Sequence, residues 1–457
     1  MKRGGLMIGS LLLMWGLLSL AGCADEPNAL EQPAILKVAD TDEVNFYRMY
    51  GDYMSAAFPD TTIEFISTEQ ASDYRLSVSE RNKRWIELVR KEQPDLIVLR
   101  DDETYRALAD EGLLADLSPY MQGSRIMEEQ LHPGVIELMK QNRDGQVYGL
   151  APTFSALQLY FNEDLFREYG IDLPHDGMTW EELLQLAYRF TAADSSPGAP
   201  IGYYETFSSP LDMVYAIGST EGMSMYRLGT GKMTLDTPAW RRAFTTVLTS
   251  YKNGTFRSLT PKGKVSEDGE TYYDEQAMNS VDLFSKGKAA MTLEYYGPNK
   301  ADEVKFKLGS VNPPVDEATR TRSYSFYANQ KLAIRSGSPE SKAGWEFIQF
   351  MVSDYIAKSA KAHSIGFGMP SNMSYPNFTD DPAAAALYRQ MPAITPVDEG
   401  IPSWVNSAFY DEIWRMLEQE MNAALADKQS VDEMLKRMQE QGQQIIDQAI
   451  EKGNASG

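Results

Sequence analysis

Two hydrophobic periods alternate along the chain. Ala34 to Asp40 is a run of aliphatic and β-branched residues that predicts a strand, and Glu43 to Phe58 spaces its apolar residues at helical intervals. Thr62 to Ile66 alternates apolar and polar positions as a second strand would. Glu80 to Lys91 is helical in pattern and stops before Pro94. Asp95 to Leu99 then reads as a buried parallel strand, followed by a helix from about Glu103 that Gly112 can end. Repeated strand–helix–strand units predict an α/β fold with a parallel sheet covered by helices. Ligands of such sheets bind beyond the carboxyl ends of the strands, which here are Asp40-Thr41-Asp42 and Arg100-Asp101-Asp102.

The middle of the chain is punctuated by helix signals. Leu157 to Phe161 is strand-like, Asn162 can cap a helix over Glu163 to Tyr169, and Gly170 can close it before Pro174. Thr179-Trp180-Glu181-Glu182 is a capping box that opens a helix to about Ala192. Asp194 to Pro200 reads as a loop. Gly344 to Val352 and Phe409 to Leu425 are amphipathic helices, and Val431 to Glu451 is a polar terminal helix. Internal repeats and low-complexity blocks are absent from the sequence.

Composition narrows the chemistry. A length of 457 residues calls for two or three domains or one large bilobal body. With 43 basic residues against 65 acidic ones the net charge is −22, and so acidic a surface repels nucleic-acid phosphates; nucleic acid is not expected as a partner. Three histidines (His132, His175, His363) and one cysteine, Cys23, are too few for a zinc site, a Cys/His nucleophile or a disulfide framework. No metal and no cofactor is expected.

The amino terminus carries an address. Lys2 and Arg3 precede an apolar run from Leu6 to Leu20, shorter than the ~20 residues of a membrane-spanning helix. Leu20-Ala21-Gly22-Cys23 follows and resembles the lipobox of bacterial lipoproteins. That resemblance implies a signal peptide over 1–22, cleavage before a lipidated Cys23, and a tether over 23–33 that holds the protein on the outer face of the cell membrane.

Four segments, in order, resemble an extracellular solute-binding protein of the carbohydrate-type family that serves ATP-binding-cassette importers. They are Pro94 to Leu99 with Leu108 to Leu117; Asp144 to Pro152 with Leu159 to Phe166 and Met178 to Glu182; Phe284 to Leu293; and Lys331 to Ile334 with Ser338 to Phe350, leading to Gly366 to Pro370. The resemblance implies a two-lobed α/β fold like that of periplasmic binding proteins, each lobe a mainly parallel sheet flanked by helices. The amino lobe is expected over 34–150 plus 324–362 and the carboxyl lobe over 154–320 plus 366–457. Hinges are expected at Ala151 to Phe154, Arg320 to Ser323 and His363 to Gly366. The family further implies a monomer that closes around a small solute and hands it, unaltered, to permease subunits.

A sugar offers an apolar ring face and a rim of hydroxyls, so its site needs aromatic plates beside planar polar groups. Glu294, Tyr295 and Tyr296 stand where relatives place a Gly-Pro-Trp stacking unit, although here the aromatics precede Gly297-Pro298. Tyr203, Tyr204 and Glu205 form a second such group. Trp404, Tyr410 and Trp414 surround the start of a long helix, where relatives place an aromatic facing the cleft. Asp40, Asp42, Asp101 and Asp102 are candidate hydroxyl acceptors at strand ends, and Phe154 is a candidate cleft residue beside the first hinge. Trp85, Trp180, Trp240 and Trp345 read as core residues on helix faces. Sugar is the favoured solute, with a polyamine or an anion as the alternative. Presentation to a sensor is the alternative to import. An anchored glycoside hydrolase would need two carboxylates ~5–10 Å apart, which 65 acids neither support nor exclude.

Overall fold

The computed structural model describes residues 35–73, 75–124, 128–142, 144–266, 271–297, 300–359, 368–374, 382–393, 402 and 404–455. The signal segment, Cys23, the tether and the expected hinge at 363–366 lie outside the described residues.

The first sheet forms where the aliphatic runs predicted it. Strands β1 (Ile35–Asp40), β2 (Thr62–Ser67) and β3 (Leu96–Leu99) pair in parallel, with β1 central, and Lys331–Ile334 closes the β3 edge antiparallel. Each helix that links or follows these strands is capped by a side chain at its amino end. Asp42 accepts from Asn45 N–H to open α1 (Glu43–Ala57), Ser77 from Glu80 N–H to open α2 (Val78–Glu92), and Asp101 from Thr104 N–H to open α3 (Asp102–Asp110). Gly112 follows α3 with φ +66°, a conformation that favours glycine. The caps fix where each helix starts relative to its strand end, and thereby what the strand ends present.

The second sheet is mixed, where a mainly parallel one was expected. Its long strand β4 (Thr153–Asn162) pairs antiparallel with Ala289–Tyr295, Leu308–Val311, Phe326–Ala328 and Met369–Pro370. Only Ala289–Tyr295 against β5 (Ile201–Thr206), and β5 against Phe256–Leu259, run parallel. The strands that join β4 from far along the chain run against it, so its ladders are antiparallel although several helices intervene.

Two large hydrophobic cores divide the molecule, and β4 belongs to both. Phe154 and Ala156 lie in the first core with Val38, Ile97, Trp85 and Trp345; Leu159 and Phe161 lie in the second with Trp180, Tyr203, Trp240 and Ile413. The four tryptophans expected in cores are all buried. Met369, Ala384, Leu387 and Tyr388 pack into the first core, although 366–457 was expected with the carboxyl lobe. Phe154 is itself fully buried, stacked on Phe326 at 4.9 Å and flanked by His132 at 4.8 Å. Its expected role as a cleft-lining residue is corrected on that ground: it is core at the crossing between lobes, and its loss would cost about 3–5 kcal/mol.

Candidate functional site

The carboxyl ends of β1, β2 and β3 open onto a cleft of ≈ 890 Å³ lined by Thr41, Asn45, Glu69, Gln70, Arg100 and Asp101, with Ser407 of the helix Ser407–Leu425 facing them. Strand-end geometry pointed to this place, and the acids there turn out to be engaged by the protein. Asp40 is fully buried and takes both Nη2 (2.8 and 3.0 Å) and Nε (3.3 Å) of Arg100, plus the Thr41 N–H at 2.6 Å. Burial raises its carboxyl, and Arg100 and Thr41 offset that only in part. Asp40 as a solute contact is therefore corrected: it has no exposed surface and serves to orient Arg100. With Nε and Nη2 held on Asp40, the remaining guanidinium donors of Arg100 are available at the cleft wall. Arg100 was passed over in sequence because only acids were sought at the strand ends.

Asp42 and Asp101 accept the backbone N–H groups that cap α1 and α3, and Asp102 pairs with Lys331 Nζ at 2.7 Å. Of the four acids only Asp101 also lines the cleft. The two further arginines in the lining are matched as well. Arg75 is paired with Asp73 at 2.9 Å and Arg84 with Glu80 at 3.2 Å. The arginines of the polar wall are therefore all matched, while Glu69 and Asp101 add carboxylates that are not in ion pairs among the described residues.

Exposed aromatics flank the strand that the two cores share. Tyr295 ends its strand 59% exposed, and Tyr327 on Phe326–Ala328 is 45% exposed. They face β4 from its two sides, in register with Leu157 and Ser155. Burial raises the Tyr327 hydroxyl to about 12, with Tyr295 and Tyr215 adding to it. Tyr215, on the helix Pro210–Thr220, is exposed and meets Trp414 edge-on at 6.2 Å. Glu205 at the end of β5 accepts from the Tyr203 hydroxyl. Burial raises the Glu205 carboxyl, and Ser208 and Tyr203 oppose the shift. Burial, then the charge of Glu205, drives the neighbouring Tyr324 hydroxyl well above its ordinary value. Tyr215, Tyr324 and Tyr327 were missed in sequence, since nothing local marks a tyrosine whose surroundings are set by tertiary packing.

The remaining candidates divide. Tyr410 is half-buried, and its hydroxyl is raised by burial and by Glu103 of α3 while Arg81 of α2 opposes, so it reaches the first lobe from the second. Tyr203 and Tyr204 are buried on opposite faces of β5, one in the second core and the other bonded to the Val281 carbonyl; their roles as contacts are corrected to core. Glu294 pairs with Lys300 at 2.5 Å, Tyr296 packs on the first core, and Trp404 packs edge-on to Phe409 at 5.1 Å. Among the described residues no group of His, Cys, Asp and Glu could hold a metal, and no helix is long and apolar enough to cross a membrane.

Two lobes that share one strand, with a polar cleft at the strand ends of the first and exposed tyrosines beside the shared strand, define a two-lobed binding protein. The chain belongs to the family described as bacterial extracellular solute-binding protein, whose profile matches residues 41–355. It is 20% identical over 380 residues to the sn-glycerol-3-phosphate-binding periplasmic protein UgpB of Rhizobium meliloti, covering 80% of this chain and 81% of that one. Its fold matches that of the sugar-binding protein MalE from Xanthomonas citri with a TM-score of 0.61 at 15% identity, over 91% of this chain and 98% of that one. It also matches a family 1 extracellular solute-binding protein from Alicyclobacillus acidocaldarius with a TM-score of 0.63 at 16% identity, over 91% of this chain and the whole of that one.

Proposed function

We propose that this protein captures a sugar or oligosaccharide in the cleft and delivers it intact to the permease of an ATP-binding-cassette importer. The exposed pair Tyr295 and Tyr327 carries this reading, because two accessible aromatic rings on the strands that flank β4, together with the polar cleft at the strand ends of the first lobe, suit a ring with an apolar face and a hydroxyl rim. Arg100, held by Asp40, supplies donors to the hydroxyls, and Asp101 and Gln70 supply acceptors. In this account the lobes turn about β4, and lipid on Cys23 keeps the monomer at the outer face of the membrane. A ligand favours closure only through its higher affinity for the closed form.

The likeness to a glycerol-phosphate-binding relative supports a second reading, an anionic polyol. The charge balance of the wall weighs against it, since Arg75, Arg84 and Arg100 each already face a carboxylate. A thermal-shift screen of residues 24–457 against neutral sugars, sn-glycerol 3-phosphate and polyamines separates them. A saturating ligand at 100 times its Kd adds about 2.7 kcal/mol and raises Tm by several degrees. A shift with neutral saccharides that are recovered uncleaved supports the proposal; a shift with sn-glycerol 3-phosphate alone, or cleavage of the sugar, overturns it.

A further inference from the structure

Beyond Tyr295 the exposed aromatics continue outward along the same edge of the second sheet. Tyr203 pairs with Met291 and Tyr204 with Thr292, so the same register sets Phe207 abreast of Tyr295 on neighbouring strand ends. Tyr327, on the far side of β4, and Tyr295, between β4 and β5, complete the row. Three strand spacings separate the strands of Tyr327 and Phe207, about 14 Å, wider than one sugar ring. Phe207 is 46% exposed and meets the 40%-exposed Tyr273 edge-on at 4.9 Å.

The backbone at Phe207 is strained to hold that place. Its φ is +60°, a left-handed conformation that a bulky L-residue rarely adopts, and its N–H donates to the Leu259 carbonyl at 3.1 Å. Tyr273 is likewise seated, because a Cβ on Gly263 would come within 3.1 Å of its Cε1. A strained phenylalanine and a seated tyrosine, both left in solvent, gain nothing for the core.

We propose that Phe207 and Tyr273 form an outer stacking subsite for the distal ring of an oligosaccharide whose first rings lie on Tyr295 and Tyr327. The inference rests on the sugar reading above. The length of the aromatic row, about 14 Å, selects a chain of several rings as the occupant over a lone monosaccharide.

The test is isothermal titration of residues 24–457 with malto-, cello- and xylo-oligosaccharides of two to six rings. Wild-type protein should bind the longer members of one series about tenfold more tightly than the disaccharide. Phe207→Asn keeps the left-handed backbone accessible without the ring, so Tm of the free protein should hold or rise while the long-chain advantage disappears and disaccharide affinity stays. Tyr273→Ala should act in the same direction, and Phe207→Tyr should retain the advantage. Equal affinity for short and long chains in wild type, or an equal loss for both in Phe207→Asn, would overturn the subsite and leave sugar capture standing. Binding of none of the saccharides would overturn sugar capture and the subsite together.

Discussion

The polar cleft of the first lobe and the exposed tyrosines beside β4 are built on opposite plans. The cleft of the first lobe is polar, and the acids around its strand ends are engaged within the protein: Asp40 by Arg100, Asp102 by Lys331, Asp42 and Asp101 by helix amino ends. The tyrosines beside β4 and on the helix Pro210–Thr220 stay largely in solvent, with Tyr215, Tyr295 and Tyr327 at 52%, 59% and 45% exposure. The difference teaches where stability and affinity reside. Substitutions in the polar wall should be felt by the folded state first, because each removes one partner of a satisfied pair. Substitutions of the exposed tyrosines should be felt mainly by the ligand, because about half of each side chain lies in solvent.

The largest expected break of this contrast is Arg100→Ala. It leaves Asp40 as a buried carboxylate without its ion pair, which costs roughly 3–5 kcal/mol, and it should remove solute binding as well. Urea denaturation with constant slope would measure the first and titration the second. A variant of wild-type stability would refute the view that Asp40 and Arg100 act as one unit.

Next comes the crossing between the walls. His132 is fully buried among Phe154, Phe326 and Tyr388, with Nδ1 accepting from Gly134 N–H at 3.0 Å, and burial lowers its imidazole to about 4. The unfolded chain takes up a proton near pH 6.5 and the folded chain only near pH 4, so stability is full above 6.5 and falls as pH drops between the two. The loss reaches about 3 kcal/mol at pH 4. His132→Asn retains a helix-capping side chain without a titrating group and should flatten that part of the pH profile. An unchanged profile would show that His132 does not drive it.

A smaller effect sharpens the comparison from the other side. Tyr327→Ala or Tyr295→Ala should weaken solute binding about tenfold each while Tm of the free protein stays within a degree or so. The smallest expected effect is Asp42→Ala, which removes the cap of α1 at a cost of ~1 kcal/mol and leaves the affinity unchanged. Should Asp42→Ala weaken binding strongly with no change in stability, Asp42 would belong to the ligand and not to the helix.

Much of the first sheet was legible because its signals are local. Asn162, the Thr179–Glu182 box and Gly170 at φ +64° cap the helices they were expected to cap. The carboxyl ends of β1 and β3 mark one wall of the cleft, as parallel-sheet geometry requires. What failed locally was the direction of side chains. Tyr203 and Tyr204 look like a sugar platform in sequence, yet β5 is central and covered on both faces, so successive residues are both core. Phe154 looked like a hinge residue at the cleft and is buried because β4 runs through both cores. Tyr327 and Tyr215 carry no mark at all, since their exposure is set by elements far away in sequence.

The exposed tyrosines should carry most of the affinity for the solute and almost none of the stability of the free protein. Isothermal titration of residues 24–457, as wild type and as the double variant Tyr295→Ala/Tyr327→Ala, against the saccharide that gives the largest thermal shift tests it most directly. The account predicts saturable binding by wild type, a loss of about 100-fold or more in the double variant, and unchanged melting of the free protein. Equal affinity in both proteins would contradict it.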